Sequence, residues 1–319
     1  MSARRKVARR PVIVDAHAKL NLMLAIGPAR DDGFHELLTV FQSVSLADTL
    51  IVEPRSRGFS LKIRHEDASV GPRRSDRSST RGAAAIPSGQ DNLVLRAARL
   101  VARELQLDGG ASFTLVKRIP AGAGMGGGSA DAAAVLDALP ALHGMRLAKK
   151  RRLALALALG SDVPFACVGG TALGRGRGEK LTKVALDRSF DAVVALPRWR
   201  IATARAYAEI DQGKYVLTPR SLNIRSAQIL GREQLSATTL MRLGNTFERV
   251  LGNRRLDFES LVARLRRAGV REVRMTGSGS AVFGIPGPGT PAKEVANRFT
   301  GNESLYVVRS TRRGLRPQP

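Results

Sequence analysis

The first half of the chain carries its apolar residues in two patterns, one with the period of a strand and one with the period of a helix. Alternation predicts that Val12–Val14 and Lys19–Ile26 are paired strands and that Phe41–Val52 is a third. The same patterns predict strands at Ser112–Lys117, Thr171–Leu173 and Ala192–Leu196, and helices at 91–107, Ser129–Leu142 and Leu147–Leu159. Asp91 and Asn92 stand where the first of these helices would be capped, and Gly160 follows the last one.

The second half changes to longer helical stretches and a second group of strands. Helices are predicted at Ser236–Leu251, Phe258–Ala268 and Pro291–Phe299, and strands at Glu272–Thr276, Ala281–Ile285 and Leu305–Val308. Strands and helices are interleaved without an internal repeat. We therefore predict an α+β fold of two domains, with the boundary near residues 175–190.

Three basic or low-complexity segments, which we predict to be solvated, flank or interrupt these domains. The domains are predicted at 11–180 and 185–308, between a basic arm of residues 1–10 and a basic tail of residues 309–319. Residues 65–90 are rich in Ser, Arg, Gly and Pro, which is typical of a flexible insertion. Such a composition buries too little apolar surface to offset the entropy of ordering. We therefore expect the insertion and both basic ends to be dispensable for catalysis.

The composition adds a strong positive charge to this picture. The 319 residues include 52 Lys and Arg against 27 Asp and Glu, a formal net charge of +25. A field of this sign attracts polyanions, either nucleic acid or phosphorylated metabolites, although a generally basic surface is a simpler explanation. Because only three Tyr and one Trp are available for base stacking, a nucleic-acid partner is not favoured.

Several classes of protein are excluded by what the composition lacks. Cys167 is the one cysteine, so no disulfide framework and no multi-thiolate metal site exists. The four histidines form no i, i+4 pair for a zinc helix, and no run reaches the ~18 apolar residues of a membrane span. We expect a cytoplasmic protein without membrane contact, and the sequence leaves open whether it is a monomer or a homodimer.

The strongest chemical feature is a glycine-rich loop between a predicted strand and a predicted helix. The residues of this loop that we take as candidate phosphate ligands are Pro120, Gly122, Gly124, Met125, Gly126, Gly127, Gly128 and Ser129. Glycines leave backbone N–H groups accessible, and a helix N-terminus adds about half a positive charge. The spacing also fits a dinucleotide fingerprint, but no acidic residue follows in 146–152, where the ribose ligand is expected. A purely structural turn is the remaining alternative.

Four other positions carry candidate chemistry, each with a plainer alternative. Lys19 and Asn21 share one face of a predicted strand, which is either solvated or directed into a site. Asp162 precedes a predicted turn and is either a helix cap or a base. His35 follows a turn-like Gly-Phe and is either a surface residue or a ligand contact. Gly277–Gly279 is either a tight turn or a second backbone surface that faces the first loop.

Taken in order, these segments resemble the GHMP kinase superfamily over residues 11–286. The matching segments are Ala18–Leu22, Asp32–Leu37, Asp91–Val94, Lys117–Pro120, the glycine loop, Gly160–Phe165, Gly176–Glu179 and Met275–Ser280. The first, second and sixth of these are most similar to the members that phosphorylate the 2-hydroxyl of a cytidine-diphosphate-linked methylerythritol in the non-mevalonate isoprenoid pathway. The resemblance implies a two-domain GHMP kinase fold with its active site in the cleft between the domains, and ATP and Mg²⁺ as cofactors.

The resemblance also implies a role for each candidate residue. Asp162 would be the base that accepts the proton of the substrate hydroxyl, and Lys19 would hold that hydroxyl. Substrate, with its cytidine diphosphate moiety, would contact Asn21, Phe34, His35, Thr203 and Tyr207. Asn92 and Lys117 would lie near adenine, and Gly277, Ser278 and Gly279 would close the site over ATP. Metal ligands stay undetermined, with Ser129 as the candidate.

Departures from the family pattern and rival functions remain at this point. Ala130 replaces a second serine, His17 replaces a small residue or proline, and 245–248 only approximates an Asn-Asp-Leu-Glu segment. A homoserine- or mevalonate-type kinase is one rival, against which the Gly-Phe-His segment argues. An RNA-binding protein with the same N-terminal fold is another, and a nicotinamide oxidoreductase is a weaker third.

Overall fold

The computed structural model describes residues 10–70, 86–87, 89–213 and 216–318. Its strands are β1 (Val12–Ala29), β2 (His35–Arg55), β3 (Phe59–His65), β4 (Gly110–Lys117), β5 (Thr171–Gly176), β6 (Lys180–Lys183), β7 (Asp191–Leu196), β8 (Val270–Met275), β9 (Val282–Pro286), β10 (Ser304–Arg309) and β11 (Leu315–Pro317). Its helices are α1 (Leu93–Leu105), α2 (Gly127–Leu142), α3 (Lys149–Leu159), α4 (Val163–Val168), α5 (Thr203–Gln212), α6 (Pro219–Leu230), α7 (Ala237–Arg242), α8 (Arg255–Arg267) and α9 (Ala292–Arg298). Two short 3₁₀ turns, Thr246–Arg249 and Gly252–Arg254, lie between α7 and α8.

These strands form two sheets. The first contains seven strands in the order β11-β1-β2-β4-β3, with β5 also paired to β2 and β6 paired to β5. The second contains four antiparallel strands in the order β10-β7-β9-β8. The change from one sheet to the other falls between Lys183 and Asp191. The first sheet is mixed, because β3 and β4 are parallel, and the second is antiparallel. Two largely antiparallel sheets with helices packed on them confirm the predicted α+β class.

The long strand β2 organises the first sheet because its two halves have different partners. Thr49–Arg55 pairs with β4, whereas Leu37–Gln42 pairs with β5. Strand β1 pairs with β2 along almost its whole length, through three shifts of register. The prediction of two paired strands at Val12–Val14 and Lys19–Ile26 was therefore wrong, because both belong to one strand. The polar residues between them sit at a register shift, which bends the strand without ending it.

Alternating side chains pack the molecule in layers around a shared core. One face of the first sheet packs on α1, α2 and α3 through residues such as Phe113 and Leu136. The opposite face, with Leu20 and Val40, packs against Val194 and Phe283 of the second sheet. The next residues along those second-sheet strands face α8 and α9. One apolar core therefore joins the two sheets, and the cleft between them has a rigid base.

The predicted solvated tail was wrong for most of residues 309–319. Leu315–Pro317 pairs antiparallel with β1, and Leu315 is buried in the core of the first sheet. The Gly314 carbonyl accepts a hydrogen bond from the His17 N–H at 2.8 Å, and the Thr311 N–H donates to the Ser43 carbonyl at 2.8 Å. A run of arginines resembles a disordered tail in composition, but one leucine and an open sheet edge suffice to order it.

The predicted insertion and one predicted helix also need correction. Residues 66–70 are hydrogen-bonded to the folded body, since the Glu66 N–H donates to the Lys117 carbonyl and the Val70 N–H donates to the Leu305 carbonyl. The rest of the expectation for 65–90 falls largely on residues 71–85 and 88, which lie outside the described residues, as do residues 1–9 of the predicted arm. The predicted helix Ser236–Leu251 ends at Arg242, because Gly244 adopts a left-handed backbone with φ of 87°.

Candidate active site

A cleft of about 700 Å³ opens between the two sheets. Its walls come from β1, the glycine loop between β4 and α2, the start of α4, the helix α5 and the turn between β8 and β9. Of the predicted site residues, the cleft brings together Lys19, Asn21, Phe34, His35, Gly122, Gly124, Gly126, Ser129, Asp162, Thr203, Tyr207, Gly277, Ser278 and Gly279.

The glycine loop presents backbone donors to this cleft. Gly122, Gly124 and Gly126 have φ of 68°, 77° and 71°, a conformation that residues with a Cβ rarely adopt. Gly126 is the N-cap of the 16-residue helix α2 and supplies no side-chain cap, so the N–H groups of the first turn remain available to a ligand. Loop and helix end together form an anion site suited to phosphate oxygens.

Lys19 and Asp162 lie together in the cleft, and Lys19 packs beside Gly126 of this loop. Lys19 Nζ lies 3.5 Å from Asp162 Oδ2; the lysine side chain is buried and the carboxylate is 35% exposed. Asp162 occupies the N-cap position of α4 but makes no side-chain capping hydrogen bond. The helix-cap explanation for Asp162 therefore has no contact to support it. A carboxylate and a buried ammonium side by side can accept a proton from an alcohol and stabilise the resulting oxyanion.

Asn21 fixes the position of Lys19 and contacts the second sheet. Its Oδ1 accepts a 2.6 Å hydrogen bond from Lys19 Nζ and a 2.9 Å hydrogen bond from the Gly277 N–H. Its Nδ2 donates to Thr39 Oγ1 at 2.8 Å, and its backbone N–H donates to Thr276 Oγ1 at 3.1 Å. Asn21 lines the cleft as predicted, but most of its hydrogen-bonding capacity is taken by protein groups. Its main contribution is to orient Lys19.

The turn between β8 and β9 closes the cleft from the second sheet. Gly277 and Gly279 have φ of 58° and 93°, and Asn245 Nδ2 donates to the Gly277 carbonyl at 2.8 Å. A Cβ on Gly124 would lie 2.2 Å from the Thr276 carbonyl oxygen, so glycine lets the two turns approach. Thr203 Oγ1, at the start of α5, lies 2.7 Å from Ser278 Oγ.

A group of aromatic side chains also lines the cleft. The His35 and Tyr207 rings are stacked with centroids 5.0 Å apart, and Tyr207 meets Phe247 edge-on at 5.1 Å. His35 Nε2 lies 2.7 Å from Asp211 Oδ1, a contact that fixes the ring orientation. Burial, with a smaller contribution from the charge of Asp162, raises the pKa of Tyr207 to about 12, so its hydroxyl stays protonated.

Asp211 and Arg177 are cleft residues that the sequence interpretation missed. Asp211 lies on α5, a helix that was not predicted because its apolar stripe is short. Arg177 lies in Gly176–Glu179, one of the segments that carry the family resemblance, but the resemblance implies no role for this arginine. Its guanidinium carbon is 3.4 Å from the centroid of the Phe34 ring.

Six predicted ATP contacts do not line the cleft: Asn92, Lys117, Pro120, Met125, Gly127 and Gly128. Asn92 caps α1, with Oδ1 accepting from the Val94 N–H at 2.8 Å and Nδ2 donating to the Pro87 carbonyl at 2.6 Å. Met125 is buried under the loop, and its carbonyl accepts a hydrogen bond from the Lys19 N–H at 3.0 Å. Asn92 therefore stabilises the start of α1, and Met125 holds the backbone of Lys19 in place.

Lys117 belongs to a buried charged cluster beneath the glycine loop. Its Nζ donates to Asp131 Oδ2 at 2.7 Å and also bonds Asp48 Oδ2. Burial lowers the pKa of Lys117, but the two carboxylates outweigh it and raise the pKa above its usual value. Burial raises the pKa of Asp131 to about 8, a shift that the Lys117 charge only partly opposes. Because Asp131 is in α2 and Asp48 accepts the N–H of Ile119, the cluster anchors both ends of the loop.

No cluster of three or more His, Cys, Asp or Glu side chains that could hold a metal ion is present within the described ranges. Within the same ranges no helix is long and apolar enough to cross a membrane. Mg²⁺ in nucleotide sites needs only one or two protein oxygens, because phosphates and water supply the others. The hydroxyl of Ser129, which lies in the cleft at the first turn of α2, fits that requirement.

Comparison with known proteins places the chain in a class. The GHMP kinases N terminal domain model matches residues 92–170, and the GHMP kinases C terminal model matches residues 232–303. A homoserine kinase from Cytophaga hutchinsonii, 16% identical, superposes with a TM-score of 0.69 over the whole of both chains, which shows the shared fold. Fold, glycine loop and cleft together define a GHMP-type kinase.

Closer relatives are more specific. The 4-diphosphocytidyl-2-C-methyl-D-erythritol kinase of Rhodococcus jostii is 37% identical over 88% of this chain and 81% of its own. That of Pelotomaculum thermopropionicum is 34% identical over 93% and 96%. A crystal structure of 4-(cytidine 5'-diphospho)-2C-methyl-D-erythritol kinase, 35% identical, superposes with a TM-score of 0.66 over 93% of this chain and 98% of the other. The chain belongs to the 4-diphosphocytidyl-2-C-methyl-D-erythritol kinase family.

Proposed function

We propose that this enzyme transfers the γ-phosphoryl group of ATP to the 2-hydroxyl of 4-diphosphocytidyl-2-C-methyl-D-erythritol, a step of the non-mevalonate isoprenoid pathway. The observation that carries the proposal is the Lys19–Asp162 pair, which lies beside the glycine loop in a cleft that is also lined with aromatic rings. Relatives with this name at 34–37% identity over most of the chain support the choice of substrate.

Two groups of cleft residues have separate functions in this reaction. His35, Tyr207 and Phe34 hold the cytosine, and Asp211 fixes the His35 ring for hydrogen bonding to the base edge. The glycine loop and the start of α2 bind the phosphate oxygens of ATP through their N–H groups. The substrate thus lies along the cleft with its alcohol beside Lys19 and Asp162.

The chemistry is a single displacement at phosphorus. Asp162 Oδ2 accepts the proton of the 2-hydroxyl while that oxygen forms a bond to the γ-phosphorus, and the bond from the γ-phosphorus to the β–γ bridging oxygen breaks as ADP leaves. Lys19 Nζ donates to the attacking oxygen and stabilises its negative charge. Asn21, through its 2.6 Å hydrogen bond to Nζ, keeps the ammonium in place before substrate arrives.

Ser129 is the side chain that would hold Mg²⁺ when the ion is bound with ATP, and the ion would neutralise charge on the phosphates. The chain's own contribution is to direct the hydroxyl of Ser129, from the first turn of α2, toward the same anion site.

Substrate selectivity tests the proposal. The purified protein is incubated with Mg-ATP and one of three alcohols (the cytidylyl methylerythritol, homoserine or mevalonate), and ADP release is measured. We expect the cytidylyl alcohol to exceed the others by orders of magnitude in kcat/KM, because a site built to hydrogen-bond a base is left with unpaired buried groups when the base is absent. Equal activity on homoserine or mevalonate would refute the assignment.

A further inference from the structure

Arg177, on the wall of the cleft, forms no close ion pair with any of the residues that the structure describes. Arg177 lies in the turn between β5 and β6, flanked by Gly176 and Gly178 with φ of 71° and 101°. Its backbone N–H donates to Glu179 Oε2 at 2.6 Å, which fixes the turn. The guanidinium lies over the Phe34 ring with 3.4 Å between the guanidinium carbon and the ring centroid. Both the backbone and the plane of this side chain are therefore held in advance of any ligand.

The hydrogen-bonding capacity of Arg177 is not used within the part of the chain that the structure describes. No carboxylate of these residues lies within 4.0 Å of its guanidinium, its electrostatic interaction with Asp32 acts over a longer distance, and its buried Nε has no hydrogen-bond partner. Neighbouring cations differ in this respect: Arg30 pairs with Asp32 and Glu36, and Lys19 pairs with Asp162. A buried unpaired donor costs free energy, which an anionic ligand in the cleft would offset.

The turn that carries Arg177 reaches from the aromatic end of the cleft toward the reaction centre. Phe34, beneath the guanidinium, precedes His35 in the chain. On its other side the turn approaches Phe41, since a Cβ on Gly178 would lie 3.4 Å from that ring. The Phe41 centroid is in turn 5.6 Å from Lys19 Nζ. Arg177 thus stands along the path between the base-binding rings and the Lys19–Asp162 pair.

We propose that Arg177 binds the diphosphate group of the substrate, an inference that rests on the proposed function. A cytidine diphosphate diester carries about two negative charges between its base and its alcohol. A planar guanidinium can bond two oxygens of such a group at once, whereas Lys19 is already committed to the alcohol end. Phe34 then has two contacts: the guanidinium of Arg177 rests on one face of its ring, so cytosine meets the ring only at its edge or on its other face.

Binding of cytidine, CMP and CDP tests this without turnover. Affinities are measured calorimetrically with a non-hydrolysable ATP analogue at saturation, so that CDP cannot occupy the ATP site. We expect CDP to bind the wild-type protein about 10- to 100-fold more tightly than cytidine, as for a charged hydrogen-bonded pair. Arg177→Gln should abolish most of that ratio and leave cytidine affinity within a few-fold of wild type. Arg177→Lys, which keeps the charge without the fork, should give an intermediate ratio.

The matched control is Arg175→Gln, which removes the same charge from an exposed position two residues away that does not line this cleft. It should keep the wild-type ratio, which separates direct contact from a general charge effect. An unchanged CDP-to-cytidine ratio in both Arg177 variants would overturn the proposal, as would an equal loss in Arg175→Gln. If the ratio behaves as expected but the wild-type enzyme does not phosphorylate the cytidylyl alcohol, the proposed function fails while the diphosphate contact stands.

Discussion

Asp162→Asn replaces one carboxylate oxygen by an amide and leaves the size of the side chain unchanged. Asp162 makes no capping hydrogen bond in α4, and Asn is as good an N-cap residue as Asp. The variant should therefore fold normally, with a free energy of unfolding within about 0.5 kcal/mol of wild type. What it loses is the ability to accept a proton. The loss of a general base lowers turnover by about 10²- to 10⁴-fold.

The assay is ADP release under saturating Mg-ATP and cytidylyl alcohol, with ATP affinity measured separately by titration. ATP affinity should persist, because we assign the phosphate contacts to the N–H groups of the loop and of the start of α2 and not to Asp162. A kcat within a few-fold of wild type would refute the assignment of Asp162 as the base, whatever the family membership.

The partner of this carboxylate supplies a second measurement. Lys19→Met should also lower kcat, because no ammonium would then stabilise the attacking oxygen. Lys19 Nζ and Asp162 Oδ2 are 3.5 Å apart, well inside the distance at which substitutions cease to act independently. The double variant should thus lose less than the product of the two single losses. A multiplicative loss would mean that the two groups act on different atoms.

Three further predictions concern the folded body and the base end of the cleft. Leu315→Ala should lower the free energy of unfolding in urea by about 2 kcal/mol, because Leu315 is only 8% exposed. The control Leu256→Ala, at a position that is 78% exposed, should lower it by at most about 0.5 kcal/mol. Equal effects would mean that the tail is not ordered in solution. Burial raises the pKa of Asp131 from 3.8 to about 8, so the folded state keeps a proton that the unfolded chain has released, and stability falls as the pH rises through this window. Asp131→Asn should therefore gain stability relative to wild type between about pH 5 and pH 8, and parallel pH profiles for the two proteins would contradict this. Lys117→Met, which leaves the buried Asp48 carboxylate without its ammonium partner, should lose about 3–5 kcal/mol. Asp211→Ala should raise KM for the cytidylyl alcohol about 10-fold with little change in kcat, because the cleft histidine loses its 2.7 Å partner; a fall in kcat alone would argue against a role in base binding.

The residues that meet in the cleft beside Lys19 could be predicted from sequence because they lie in local patterns. A glycine run between a strand and a helix predicts a phosphate site from backbone geometry alone, and alternation placed Lys19 and Asn21 on one face of a strand. The class of fold followed from the interleaving of strands and helices. Such features depend on neighbours in the chain, which a sequence displays directly.

What was missed depends on contacts between distant segments. Lys117 follows a strand just before the glycine loop, which made it a candidate ligand, but Asp48, 69 residues away, draws it under the loop. Asp211 could not be recognised as a cleft residue from its neighbours, because its partner His35 lies 176 residues away in the chain. The composition of the C-terminal residues predicts a solvated tail because charge dominates it. The open edge of β1 that orders these residues cannot be seen in their local sequence. The periodicity of apolar residues along the chain gives no information about contacts between distant segments.

The hydrogen bonds of Asn21 have a consequence for motion. They tie the first strand to the turn between β8 and β9, and that turn lies in van der Waals contact with Gly124 of the phosphate loop. A hinge opening of the two halves would have to break these buried bonds and part the shared core. Ligands must then enter through the solvent side of a cleft that is already shaped, and little conformational entropy remains to be lost on binding. In solution scattering, the free and the fully liganded enzyme should have nearly the same radius of gyration.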